Sequence, residues 1–133
     1  MRILPLFLIL APLGCAATQQ ARPRPFTTDG CSLVPNGTWG RPNLWLNCCR
    51  EHDYRYWKGG TQAQRLRADF DLNDCVAEAG HPDVAYWMSR GVRVGGTPYL
   101  PTPFRWGYGW PYPRGYTRLT DGDKKLIEES RQR

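Results

Sequence analysis

Cys48 and Cys49 are adjacent, and they fall in a stretch with helical periodicity. Leu44, Cys48, His52 and Tyr56 recur every four residues between Asn43 and Trp57. Neighbouring positions on a helix point about 100° apart, so these two sulfurs must reach different partners rather than each other. One helix stapled on two sides constrains everything around it. Cys31 lies upstream, in a turn-rich stretch from Thr27 to Pro42 that holds Asp29-Gly30 and Pro35-Asn36-Gly37. Cys75 lies downstream, on a second helix that opens with the capping pattern Thr61-Gln62-Ala63-Gln64 and runs to about Ala79, before Gly80-His81-Pro82. Only Lys58-Gly59-Gly60 separates the two helices, and glycine there ends the first. So short a connection makes them antiparallel neighbours.

In an antiparallel hairpin, facing residues are centred on the turn. Cys48 with Cys75 and His52 with Asp69 are both centred on Gly60 and Thr61, so one hairpin can hold a Cys48–Cys75 bridge and a His52–Asp69 contact together. His52 with Asp71 centres there equally well, so the turn alone leaves both carboxylates open. Cys31 is then the partner for Cys49, tying the preceding loop onto the first helix. Two disulfides suit an exported chain better than zinc, because paired Cys-x-x-Cys knuckles are absent. Haem attachment is excluded too, since Cys49-Arg50-Glu51-His52 lacks the second cysteine of that motif.

Export is read from the first fifteen residues, MRILPLFLILAPLGC, where Arg2 precedes an apolar run too short to remain as a membrane span. Residues 1–14 are expected to be a signal peptide. Leu13-Gly14-Cys15 resembles a bacterial lipobox, which implies lipidation of Cys15, a polar, proline-containing tether over 15–26 and a domain over 27–133. The expected location is the bacterial cell envelope through a lipid anchor, or otherwise the medium. The formal charge of +6 falls to +5 once Arg2 is removed. A basic chain rich in Trp and Tyr suits a phospholipid membrane surface as partner, and nucleic acid is not expected.

The run Cys48-Cys49-Arg50-Glu51-His52-Asp53, with Tyr56 one turn on, resembles the secreted phospholipase A2 superfamily, in which Cys-Cys-x-x-His-Asp-x-x-Tyr lies on one helix. The family's antiparallel partner helix carries an aspartate six residues before a cysteine, which here selects Asp69 before Cys75 over Asp71. Asp29-Gly30-Cys31-Ser32 resembles the start of the calcium loop of prokaryotic and fungal members. The resemblance covers about residues 29–79. It implies a mainly α fold: a disulfide-linked antiparallel helix pair with a calcium-binding-type loop and an irregular aromatic C-terminal region. Two features depart from the family. Arg55 stands where a further cysteine is usual, and segment 16–26 has no evident counterpart of the N-terminal helix.

The activity implied is calcium-dependent hydrolysis of a glycerophospholipid ester. Such a reaction needs a base to activate water and positive charge to stabilise an oxyanion. By resemblance, His52 is the base, Asp69 fixes its tautomer, and Tyr56 supports Asp69 through a hydrogen bond. Asp53 would bind Ca2+ beside the carbonyls of Gly30, Ser32 and Val34. The alternatives are a non-enzymatic lipid-binding or envelope protein on the same scaffold, and a toxin-like or inhibitory protein that binds another protein through its aromatic tail.

Beyond the hairpin, a third helix is expected after Pro82, fading at Gly91 or Gly95, and a short charged one over about Asp121 to Arg131. Residues 96–118 are rich in Pro, Gly, Trp and Tyr. Their aromatic residues, Tyr99 to Tyr116, either form an interfacial collar that docks lipid or wrap a helical core too small to bury itself.

Overall fold

A computed structural model describes residues 20–133, so the signal peptide, Cys15 and the first part of the tether lie outside the described residues. The described chain is mainly helical, with helices α1 (Leu46–Lys58), α2 (Gln62–Glu78), α3 (Pro82–Gly95) and α4 (Asp121–Arg131). Thr61 caps α2 in a reciprocal box with Gln64, as the sequence pattern suggests. A second box, Thr120 with Asp123, opens α4. Helix α1 begins three residues later than its periodicity indicates. The Trp45 backbone N–H donates to the Asn36 carbonyl and its indole to the Pro35 carbonyl, so the loop claims the first turn.

Helices α1 and α2 pack together, and α3 folds back onto α2. Two disulfides hold the first helix, Cys31–Cys49 with Cα atoms 5.1 Å apart and Cys48–Cys75 at 5.8 Å. Closing loops of 18 and 27 residues contributes roughly 3 kcal/mol each in the chain-entropy view. Around the second bridge, Trp45, Leu72, Val76, Ala85 and Met88 form the largest core cluster.

The aromatic C-terminal region divides by residue between its two readings. Trp106 and Trp110 are buried, and their indoles donate to the carbonyls of Gly60 and Lys58 at 2.9 and 2.8 Å. Trp110 therefore satisfies an acceptor that the last residue of α1 leaves open, and Trp106 shares the Gly60 carbonyl in the turn with the Thr117 N–H. Arg105, itself buried, donates to the Gly107 and Trp110 carbonyls and pins the loop in that shape. A large aromatic ring buries 150–250 Å², so each indole contributes at most roughly 4–6 kcal/mol. The two tryptophans thus matter as much as the disulfides. Tyr99 and Tyr112, by contrast, are exposed.

Part of the expected tether is also docked. The Arg24 backbone N–H donates to the Gly109 carbonyl, and the Ser130 hydroxyl to the Pro23 carbonyl. Phe26 packs edge-on against Tyr54 and Trp57. Among the described residues, no helix is long and apolar enough to cross a membrane.

Candidate active site

Successive turns of α1 each present one side chain to α2, and this brings His52 and Tyr56 to Asp69. The His52 Nε2 lies 2.8 Å from Asp69 Oδ1, the Tyr56 hydroxyl donates to the same oxygen at 2.7 Å, and Arg93 of α3 donates to Oδ2 at 2.7 Å. A carboxylate can only accept, so His52 takes the tautomer that carries its proton on Nε2. Asp69 is 2 % exposed. Burial alone would push its carboxyl up, but the hydrogen bonds from His52, Arg93 and Tyr56 together hold it below the ordinary value. Burial, then the Asp69 charge, drives the Tyr56 phenol far above its ordinary range, which keeps it a neutral donor. Asp71 is elsewhere: it pairs with Arg55 and Arg67. Arg55 is therefore spent on the carboxylate that competes with Asp69.

Arg65 closes the network from behind. Its Nε donates to the Tyr56 hydroxyl at 2.9 Å, and its other nitrogens reach the Tyr116 hydroxyl and the Val92 and Arg93 carbonyls. Arg65 lies one helical turn before Asp69, a spacing that could have revealed it. Arg93 gives no such signal, because only the packing of α3 onto α2 brings it to Asp69.

His52 lines a cavity of about 210 Å³ whose walls include Leu33, Asp53, Trp87, Met88 and Phe104. Its Nε2 is committed to Asp69, and no hydrogen bond among the described residues engages Nδ1. A second recess, of about 290 Å³, lies against Thr28, Asp29, Ser32 and Asp53. The Asp53 carboxylate accepts from the Thr28 hydroxyl at 2.6 Å, and that hydroxyl accepts from the Gly30 N–H at 3.0 Å. Burial pushes the Asp53 carboxyl up to about 6, and the Asp29 charge adds to the shift despite the Thr28 bond and His52. The Tyr108 phenol is also driven up, by burial and then by Asp53 and Asp29. The recess thus carries a negative potential.

That recess offers hard oxygen donors and excess negative charge, which suit a calcium ion. No hydrogen bond among the described residues uses the carbonyls of Gly30, Ser32 or Val34; Ser32 lines this recess with Asp53 and Asp29, and Gly30 and Val34 line the His52 cavity. The Gly30 N–H is committed to Thr28 and the Cys31 N–H to Asn36, so neither is a spare donor for an oxyanion. Among the described residues, no three His, Cys, Asp or Glu side chains cluster to hold a metal. A cation here would therefore depend on backbone carbonyls. The loop bends at Leu33, which holds φ 64° and stands almost fully exposed.

No family model, no curated protein and no solved structure matches this chain.

Proposed function

We propose that this protein hydrolyses a glycerophospholipid ester at His52, with Ca2+ held by Asp53, on a helix pair of phospholipase A2 type. The reading is carried by one observation: a buried histidine, bonded through Nε2 to a buried aspartate, lines an apolar cavity that also reaches a second carboxylate. In this reading the Nδ1 lone pair takes a proton from the attacking water. Asp69 holds the ring in place and stabilises the imidazolium that forms. Tyr56 and Arg93 hold Asp69 in turn. Asp53, Asp29 and the carbonyls of Gly30, Ser32 and Val34 would hold the calcium ion. When bound, calcium would supply the positive charge that a developing oxyanion requires. The apolar walls exclude water from all but the ester end of an acyl chain. Exposed Leu33 and Trp87 at the cavity mouth suit contact with a phospholipid surface.

The test is fatty-acid release from vesicles of mixed phosphatidylcholine and phosphatidylglycerol, with calcium and with chelator. Wild type should release fatty acid only with calcium. His52→Gln should lower the rate by about 10²–10⁴-fold, the usual share of a general base. Release that persists in His52→Gln, or that ignores chelation, refutes this reading. Vesicle binding without any release would instead favour a lipid-binding protein on the same scaffold.

A further inference from the structure

Glycine is the least favourable residue for a helix interior apart from proline, yet α3 carries it at position 91, and again at its last residue, Gly95. Several glycines elsewhere have a local reason. Gly59 and Gly60 hold positive φ in the turn between α1 and α2. A Cβ on Gly96 would press into the Tyr56 ring, reaching 3.0 Å from the hydroxyl that supports Asp69. Gly91 has no such reason, and Gly95 only its place at the end of α3. Neither holds a positive φ; a Cβ on Gly91 would meet nothing within 4 Å, and one on Gly95 would meet only the Phe104 ring at 3.7 Å, an ordinary contact. Both lie one turn apart on the α3 face that lines the His52 cavity. Gly91 is exposed and Gly95 half-buried, so a larger side chain at either has open space beside the cavity that both line.

We propose that Gly91 and Gly95 determine how long an acyl chain this site accepts, by leaving the α3 wall of the cavity bare. The proposal rests on the hydrolase reading above for its substrate class, an unbranched fatty acyl ester. Two features point to a ligand in this space. The cavity is continuous with His52, whose side chain is 94 % buried and bears an unpartnered Nδ1. Its remaining walls are apolar, with Leu72, Met88, Val92 and Phe104 among them. At roughly 30 Å³ per water molecule, 210 Å³ holds about seven, and a methylene is close to a water in size. A chain of medium length fills such a space, while a longer one must continue past Trp87 to the mouth. On this proposal a leucine at position 91 turns into the cavity, takes up part of that volume and shortens the chain it admits.

Two measurements separate this proposal from the reading beneath it. The first is hydrolysis of monomeric esters with butanoyl, decanoyl and hexadecanoyl chains by wild type, Gly91→Ala, Gly91→Leu and Gly95→Leu. Wild type should favour the longer chains. Gly91→Leu should lose at least tenfold in kcat/KM on decanoyl relative to butanoyl ester, Gly95→Leu should show the same trend, and Gly91→Ala should lie between. The second is binding of decanoate and butanoate, followed by tryptophan fluorescence, which requires no turnover. Gly91→Leu should weaken decanoate at least tenfold and leave butanoate unchanged. Thermal unfolding of Gly91→Ala checks the fold, and it should melt no lower than wild type. Hydrolysis with one chain-length profile in all variants overturns the proposal and leaves the hydrolase reading standing. Gly91-dependent decanoate binding without hydrolysis does the reverse. Equal loss on every chain length in both leucine variants also overturns it.

Discussion

The two ends of the site are built on neighbouring residues of one helix, yet they are held in opposite ways. At the Asp69 end, one carboxylate accepts from a histidine, a tyrosine and an arginine, and its charge is favoured by the fold. At the Asp53 end, one carboxylate accepts from a single threonine hydroxyl, and its charge is opposed by burial and by Asp29. The first is complete within the protein. The second loses stability as it ionises, a loss that positive charge from outside would offset. A helix can thus present a finished unit and an unfinished one about 100° apart, and in the proposed reading the unfinished one is where an external cation would be used.

The strongest test of the finished end is Asp69→Ala, which leaves Arg93, Tyr56 and His52 without their shared acceptor. Removing one partner from a buried charged pair costs about 3–5 kcal/mol. Arg93 can turn partly to solvent, its side chain being 34 % exposed, so the lower end of that range is expected in urea unfolding at neutral pH. A loss under 1 kcal/mol would mean that the network is not held as the distances indicate. Next in size is removal of the Cys31–Cys49 bridge by paired replacement with serine, at about 3 kcal/mol. This bridge ties the loop, not the helix pair. Asp69→Ala should therefore cost the same with and without it, within about 0.5 kcal/mol. A larger coupling would mean that the two ends are one unit.

Asp53→Asn should act with the opposite sign. A carboxyl raised from 3.8 to about 6 binds its proton more tightly folded than unfolded. Without calcium, its effect is therefore to lower stability as pH rises from about 4 to about 6. The shift is worth at most about 3 kcal/mol at 1.36 kcal/mol per pH unit, and roughly half that given partial exposure. Asp69 slopes the other way: its carboxyl is depressed, so its contribution is present above about 4 and lost below. Urea unfolding from pH 3 to 7 in chelator should show Asp53→Asn abolishing the decline between pH 4 and 6 and leaving the acid limb intact. The variant should be more stable than wild type at pH 7, and added calcium should raise the melting temperature of wild type alone.

What the sequence revealed follows the same division. Adjacent cysteines on a helical period, a capping box and a two-glycine turn fix the hairpin locally, so the disulfide partners could be read from spacing, while the choice of Asp69 over Asp71 for His52 came from the resemblance. Arg93 could be read from neither, since it approaches through the packing of a third helix whose register no local rule specifies. Trp106 and Trp110 illustrate the same limit. Their composition suggested either a lipid collar or a wrap, and only the carbonyls of Lys58 and Gly60 decide that they turn inward. At the loop, Asp29-Gly30 marks a turn, but nothing in its sequence tells that the Thr28 hydroxyl, rather than a backbone amide, meets Asp53.

That hydroxyl supports the smallest and most specific prediction. Thr28 both donates to Asp53 and accepts from the Gly30 N–H, so it is the one internal group that favours the Asp53 anion through a hydrogen bond. Thr28→Val keeps the shape and removes both bonds, at a cost of about 1 kcal/mol at neutral pH. Losing a donor that lowers the carboxyl's pKa moves it further above 6, so the decline in stability should extend to higher pH than in wild type. Unfolding measured between pH 5 and 8 in chelator should show wild type levelling off while Thr28→Val continues to fall, and Thr28→Ser should restore the wild-type curve. Coincident curves for Thr28→Val and wild type would mean that solvent already serves Asp53. The contrast between the two ends would then rest on Asp69 alone.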